Sequence, residues 1–230
     1  VDLGLFIAAS GMVAEQSRQS QLSNDLANAS TPGFKPDATP QHSFGQFLLQ
    51  SAAGNRALGS ISSGVALGRS FTDLSPAGMM TTNQPLDFGI AGAGFFAVQT
   101  PAGVRYTRDG QFTSSAQGLL VDGAGNNVLG QGGASIKVGA GGTVPAGELG
   151  VFELQGAVKQ GENLFAGAPA GRASGTVRSG VLEESGVSPA KAMVEMVASL
   201  RSFQSGQQAI QAIDQTLQEA SAQVGSLNGG

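Results

Sequence analysis

Between Leu3 and Ala29 the larger apolar residues fall at Leu5, Met12, Leu22 and Leu26, and adding Ala8, Glu15 and Gln19 completes alternating three- and four-residue steps. That spacing keeps one narrow stripe on a helix whose remaining surface is mostly Ser, Gln and Asn. Pro32 and Gly33 end the helical pattern, because proline lacks the donor a continuing helix needs and glycine takes a positive φ readily. Asn24, Asp25 and Asn28 are placed to cap the exit with their side chains. At the other end Ser188 reads as an N-cap and Pro189 as the first helical position. Met193, Met196, Leu200, Phe203, Ile210, Leu217 and Val224 follow on the same steps once Gln207, Asp214 and Ser221 are counted as polar members, with Val197 and Ile213 widening the stripe. A helix from Ala190 to Val224 would be about 50 Å long at 1.5 Å per residue. One narrow apolar stripe is best covered by another, so the terminal helices are expected to pair, within the chain or between chains.

The middle of the chain has a different texture. Short apolar runs at Leu86–Ile90, Gly94–Gln99, Val104–Thr107, Phe112–Thr113, Leu119–Val121 and Val128–Leu129 are punctuated by turn residues, among them the pair Asp109–Gly110. Ile136–Val138, Val151–Leu154 and Val177–Leu182 continue the series. Close turns without long intervening helices indicate antiparallel pairing. The fold class that follows is mixed α and β: paired N- and C-terminal helices with coiled-coil-like stripes, plus a central antiparallel β-rich domain. The divisions are residues 1–34 for the first helix and its exit loop, 35–82 for an extended connection, 83–182 for the β-rich domain and 183–230 for the last helix. Within the connection, Phe44–Ala53 reads as a short helix and Gly54–Gly78 as extended chain that orders in an assembly.

Composition narrows the chemistry. Twelve Lys and Arg stand against 16 Asp and Glu, for a net charge of −4, which does not suit a nucleic-acid groove. With no cysteine there is no thiol nucleophile, disulfide or Cys-ligated zinc, so stability must come from burial or assembly. No transmembrane helix and no cleavable leader can be drawn. The single histidine, His42, lies in a polar stretch without ligand-like spacing and reads as a solvated residue. Gly89, Gly92 and Gly94 lead into Phe95 and Phe96 rather than into the helix a dinucleotide loop requires. Asp122, Gly123, Gly125 and Asn126 lack the full calcium-loop series and read as a turn. Arg105, Arg108 and Asp109 around Tyr106 read as cross-strand pairing and a hairpin turn rather than an anion site. Two binding or catalytic alternatives stay open at this point. One is a polysaccharide-binding module with Phe95, Phe96 and Tyr106 as its aromatic platform; the other is a hydrolase joining Asp87, Asp109 and Asp122 in a cleft. Neither a cofactor nor a metal is implied.

Three blocks carry a resemblance. Leu22-Ser23-Asn24-Asp25-Leu26-Ala27-Asn28-Ala29-Ser30-Thr31-Pro32-Gly33-Phe34-Lys35 resembles the signature segment of bacterial flagellar basal-body rod and hook proteins, with Asp25 and Ala29 where asparagine and valine are usual. Asn83 through Val98, followed by Tyr106-Thr107-Arg108-Asp109-Gly110, is similar to the family's middle blocks. Gly180-Val181-Leu182-Glu183-Glu184-Ser185, running on through Met196 and Phe203 to Leu217, is similar to its carboxy-terminal part, with Gly186 where asparagine is usual. The resemblance is greatest to the distal rod subunit, with the proximal one second. It implies a structural protein rather than an enzyme, exported by the flagellar type III apparatus. It also implies polymerisation with copies of itself and other rod and hook subunits into a torque-transmitting shaft, in the periplasm or across the cell wall. Met12, Leu22, Leu26, Met193, Met196, Leu200, Phe203, Ile210 and Leu217 are then the expected packing and assembly residues. Asn24, Asn28, Pro32, Gly33 and Phe34 form the signature loop, and Asp109 and Gly110 a turn of the central domain.

Overall fold

The computed structural model describes residues 2–43, 46–50, 57–62, 64–161 and 163–227. The chain folds as two units, one of Val1–Leu26, Asp37–Phe71 and Pro189–Gly230, the other of Ala27–Pro36 and Thr72–Ser188.

In the first unit, α1 (Asp2–Ala27) and α2 (Pro189–Leu227) run antiparallel. Gly4 lies against Ile213, Met12 against Gly206, and the Glu15 carbonyl accepts from Ser199 Oγ at 3.2 Å. The more buried positions of α2 are Ala192, Met196, Ser199, Phe203, Gly206, Ile210 and Ile213, again in alternating steps of four and three. Three of these, Ala192, Ser199 and Gly206, are small, and this brings the helices close: a Cβ on Gly206 would stand 2.8 Å from Met12 Cγ. The same unit holds the strand pair Gln41–Ser43 with Val65–Leu67 and the pair Gln46–Gln50 with Ala57–Ser62. The helix expected over Phe44–Ala53 is therefore not formed where the chain is described. Residues 46–50 give their backbone groups to the partner strand, Phe47 opposite Ile61 and Leu48 opposite Ser60, and pairing overrides local propensity. Residues 44, 45 and 51–53 of that stretch lie outside the described residues.

The second unit holds the core. Seven strands form an antiparallel sheet in the order Gly103–Thr107, Leu164–Arg172, Val151–Lys159, Phe95–Thr100, Asn127–Leu129, Leu120–Val121 and Thr113–Ser114. Gly103–Thr107 also pairs with Phe95–Thr100, so the first four strands close into a ring. Phe95–Thr100 is apolar on both faces because both are covered. Phe96 and Val98 join Phe88, Phe112, Leu120 and Val128 in one cluster, while Phe95 and Ala97 join Tyr106, Leu129 and Phe165 in another. Phe96 meets Phe112 edge-on, with ring centres 5.3 Å apart. Two smaller pairs complete the unit, Thr176–Ser179 with Phe88–Ala91 and Val181–Glu183 with Met79–Thr81.

The antiparallel β-rich centre matches the sequence reading, with three differences. Val177–Leu182 is two strands rather than one, broken at Gly180, whose φ of 73° turns the chain. Ile136–Val138 forms only isolated bridges, through Lys137 to Leu119 and the adjacent Ser135 to Leu129. Leu164–Arg172 is a long strand with no counterpart in the sequence reading.

Candidate functional site

The signature loop is tied by hydrogen bonds to several distant parts of the second unit. Helix α1 ends at Ala27, and the next turn is closed by Thr31, whose N–H donates to the Asn28 carbonyl at 3.0 Å and whose Oγ1 lies 3.3 Å from Asn28 Oδ1. Gly33 follows Pro32 with φ of 64°, and a Cβ there would stand 2.4 Å from the carbonyl carbon and oxygen of Arg108. Both conformation and close approach therefore require glycine. The loop is also bonded to distant strands. The Gly33 N–H donates to the Glu183 carbonyl at 2.9 Å, Asn163 Nδ2 donates to the Pro32 carbonyl at 3.0 Å, and the Gly186 N–H donates to the Phe34 carbonyl at 2.9 Å. Phe34 is buried, and the Lys159 ammonium sits 4.0 Å above its ring centre while donating to the Lys35 carbonyl.

Beneath this loop lies a buried ion triad. Lys35 Nζ donates to Glu183 Oε1 at 2.7 Å, and Arg108 Nη1 donates to Glu183 Oε2 at 3.0 Å; the three side chains are 0%, 3% and 1% exposed. Backbone groups take up much of the remaining capacity. Lys35 Nζ donates to the Ser75 carbonyl, Arg108 Nη2 to the Gly92 carbonyl, and the Ala77 N–H to Glu183 Oε1. Burial at this depth is tolerated only for paired charge. The cross-strand surface pairing expected of Arg108 is replaced by this inward pairing. The bend at Asp109–Gly110 is likewise not a two-strand hairpin, since Gly103–Thr107 pairs with Phe95–Thr100 and Leu164–Arg172, and Thr113–Ser114 with Leu120–Val121. At the bend Asp109 Oδ1 accepts from the Gln111 N–H, and Gly110 lies against the Phe88 backbone with no room for a Cβ. Burial pushes the Asp109 carboxyl above the usual carboxylate range, with the charges of Asp122 and Asp87 adding to the rise.

The helical residues separate into two groups. Leu22 is buried, while Met12, Leu26, Met196, Phe203 and Ile210 are half-buried. Met193, Leu200 and Leu217 are exposed, together with Val194 and Val197 of α2 and with Leu3, Phe6 and Val13 of α1. Within the first unit the only buried apolar residues among those described are Ala14, Leu22 and Ala192. The helix pair therefore has almost no core, and Met193, Val194, Val197 and Ala198 line an open apolar groove along α2 beside Arg201.

The other candidate chemistry resolves into structure. Phe95, Phe96 and Tyr106 are core residues, so they cannot serve as an exposed aromatic platform. Asp122 spends both oxygens on its own turn, accepting from the N–H groups of Ala124 and Asn126 and from Asn126 Nδ2, and Asp87 is buried. His42 is exposed on its short strand. Among the described residues no helix is long and apolar enough to cross a membrane.

Comparison with known proteins agrees with this geometry. Residues 5–35 match the family described as flagella basal body rod protein, residues 89–148 the D1 domain of flagellar hook protein FlgE/F/G, and residues 178–223 the C-terminal part of flagellar basal body rod FlgEFG protein. Each matched segment supplies one member of the triad. The chain is 30% identical to the flagellar basal-body rod protein FlgG of Bacillus subtilis, across 94% of its own length and 96% of the relative's. It is 29% identical to the basal-body rod protein FlgF of Caulobacter vibrioides, across 89% and 91% of the two chains. With the flagellar hook protein FlgE of Brucella abortus it shares 37% identity over 69% of its length, but only 37% of the hook protein's. The chain belongs to the flagellar basal-body rod and hook protein family. It is a structural subunit and not an enzyme.

Proposed function

We propose that this chain is the distal rod subunit, polymerising with copies of itself and with other rod and hook subunits into the torque-transmitting shaft of the basal body. The observation that carries the reading is the poverty of the helix pair in internal core beside its wealth of exposed apolar surface. Met193, Val194, Val197 and Leu200 are 54%, 71%, 51% and 46% exposed on one helix. Covering a half-exposed residue of this kind contributes about 1 kcal/mol, so a few neighbours per subunit supply a stable contact. In this reading the small-residue seam holds α1 to α2 within a subunit, and the larger residues of the coiled-coil-like stripe, Met193, Leu200 and Leu217, face other subunits. The signature loop, with Asn24, Asn28, Pro32, Gly33 and Phe34, fixes the helix exit, and the bend at Asp109 and Gly110 belongs to the outer β unit. Export through the flagellar type III apparatus and a periplasmic or wall-spanning location are part of this reading, and membership of the family supports them. The match to a FlgG over 94% of this chain and 96% of the relative supports the distal position, beside a FlgF match of nearly equal identity over 89% and 91%. Electron cryomicroscopy of basal bodies carrying a tag inserted at Gly141, an exposed turn, tests it. Density on the distal rod is expected; density on the proximal rod would overturn the distal assignment, and untagged basal bodies beside stable protein would overturn the rod.

A further inference from the structure

We infer that the Lys35–Glu183–Arg108 triad is a completion latch, which withholds native packing of the β unit until its last strands arrive. The inference does not depend on the rod reading. Its basis is the order in which the charges occur along the chain. Both cations come first, Lys35 148 residues and Arg108 75 residues ahead of the one carboxylate that neutralises them. Without Glu183 the same packing would seal two cations among the carbonyls of Ser75, Ile90 and Gly92, with only the exposed carboxylate of Asp73 near enough to act on Lys35. Unpaired buried charge is among the most unfavourable arrangements a fold can hold. The strand Gly103–Thr107 leads directly into Arg108, so its neighbours cannot close over that side chain early.

The carboxylate arrives with the late strands. Thr176–Ser179 docks on Phe88–Ala91, whose Ile90 carbonyl accepts from Arg108, and Val181–Glu183 docks on Met79–Thr81 beside Ala77, whose N–H donates to Glu183. Docking therefore pairs the charges of Lys35 and Arg108 and gives the Ala77 N–H its acceptor in one event. One oxygen serves each cation, so a single carboxylate meets both charges. A chain emerging amino terminus first, from a ribosome or a pore, keeps its β unit open until residue 183 is free.

The test is the partition of a stability change between folding and unfolding rates, measured on the full chain by urea jumps. Tyr106, the single tyrosine in a chain without tryptophan, reports the β unit by its fluorescence. If the triad forms at the folding barrier, Glu183→Gln slows refolding at least about tenfold while unfolding changes less than about threefold. Replacing all three by methionine removes the latch, and that variant is expected to refold as fast as the wild type or faster. Glu183→Asp, which keeps the charge on a shorter stem, is expected to lie between wild type and Glu183→Gln, and it serves if the glutamine variant does not fold. Refolding of Glu183→Gln or Glu183→Asp at the wild-type rate, with the whole loss in faster unfolding, would overturn the latch. So would a triple-methionine variant that refolds as slowly as Glu183→Gln.

Discussion

Alanine at Gly33 is expected to damage the β unit far more than alanine at Gly118, although both glycines have the same kind of backbone. Their φ angles are 64° and 73°, so each substitution incurs the left-handed penalty of about 1–2 kcal/mol. The surroundings differ. A Cβ at Gly118 meets nothing within 4 Å, whereas at Gly33 it would lie 2.4 Å from backbone atoms of Arg108 and 2.6 Å from the Asp109 nitrogen. Backbone cannot swing aside as a side-chain tip can, so an overpacking cost of about 1–3 kcal/mol is added. Displacing the Arg108 backbone also disturbs the guanidinium on Glu183. Gly33→Ala is therefore expected to cost about 2–5 kcal/mol against about 1–2 for Gly118→Ala. Urea titration followed by Tyr106 fluorescence reads the β unit, because that ring is buried among Phe165, Leu129 and Phe152. Equal losses within about 0.5 kcal/mol would refute the packing argument, leaving only the conformational penalty.

Three further outcomes are expected. Met193→Ser combined with Leu200→Ser should abolish incorporation into rods while shifting the urea midpoint of the monomer's helices little, since both side chains are exposed; motility and basal-body yield measure the first, far-ultraviolet circular dichroism the second. Gly206→Leu should force α1 from α2 and lower hydrogen-exchange protection in α1, because even a Cβ there crowds Met12. Asp109 has a raised carboxyl pKa in the fold, so its contribution is full below the ordinary value of about 4 and is lost as pH rises through the folded value. Asp109→Asn should therefore gain stability relative to wild type on passing upward through that window in urea titrations, and a constant difference across it would show that burial does not disfavour the charge.

The helices were legible because periodicity and Pro32, Gly33 and Pro189 mark them, and the central strands because glycine and Asp-Gly punctuation separates short apolar runs. Leu164–Arg172 was hidden because Gly167, Pro169 and Gly171 interrupt it and its outer half is exposed, leaving no alternation to detect. On α2 the larger residues Met193 and Leu200 drew the stripe, yet the seam with α1 runs through Ala192, Ser199 and Gly206, where closeness rather than side-chain size supplies the contact. The triad had no local signature at all. Lys35, Arg108 and Glu183 are far apart in sequence, and only the fold reveals that they point inward. The available hint was that each lies in a block carrying the family resemblance.

The bond between the Gly186 N–H and the Phe34 carbonyl places side by side two of the points where the chain leaves the β unit. A steady pull through those two ends is borne by that short link and by Lys35 and Glu183 just behind it. The closed ring of four strands lies outside the path of tension. Stiffness under load and resistance to denaturant are then governed by different residues, the first by the loop from Pro32 to Pro36 and the second by the phenylalanines of the core.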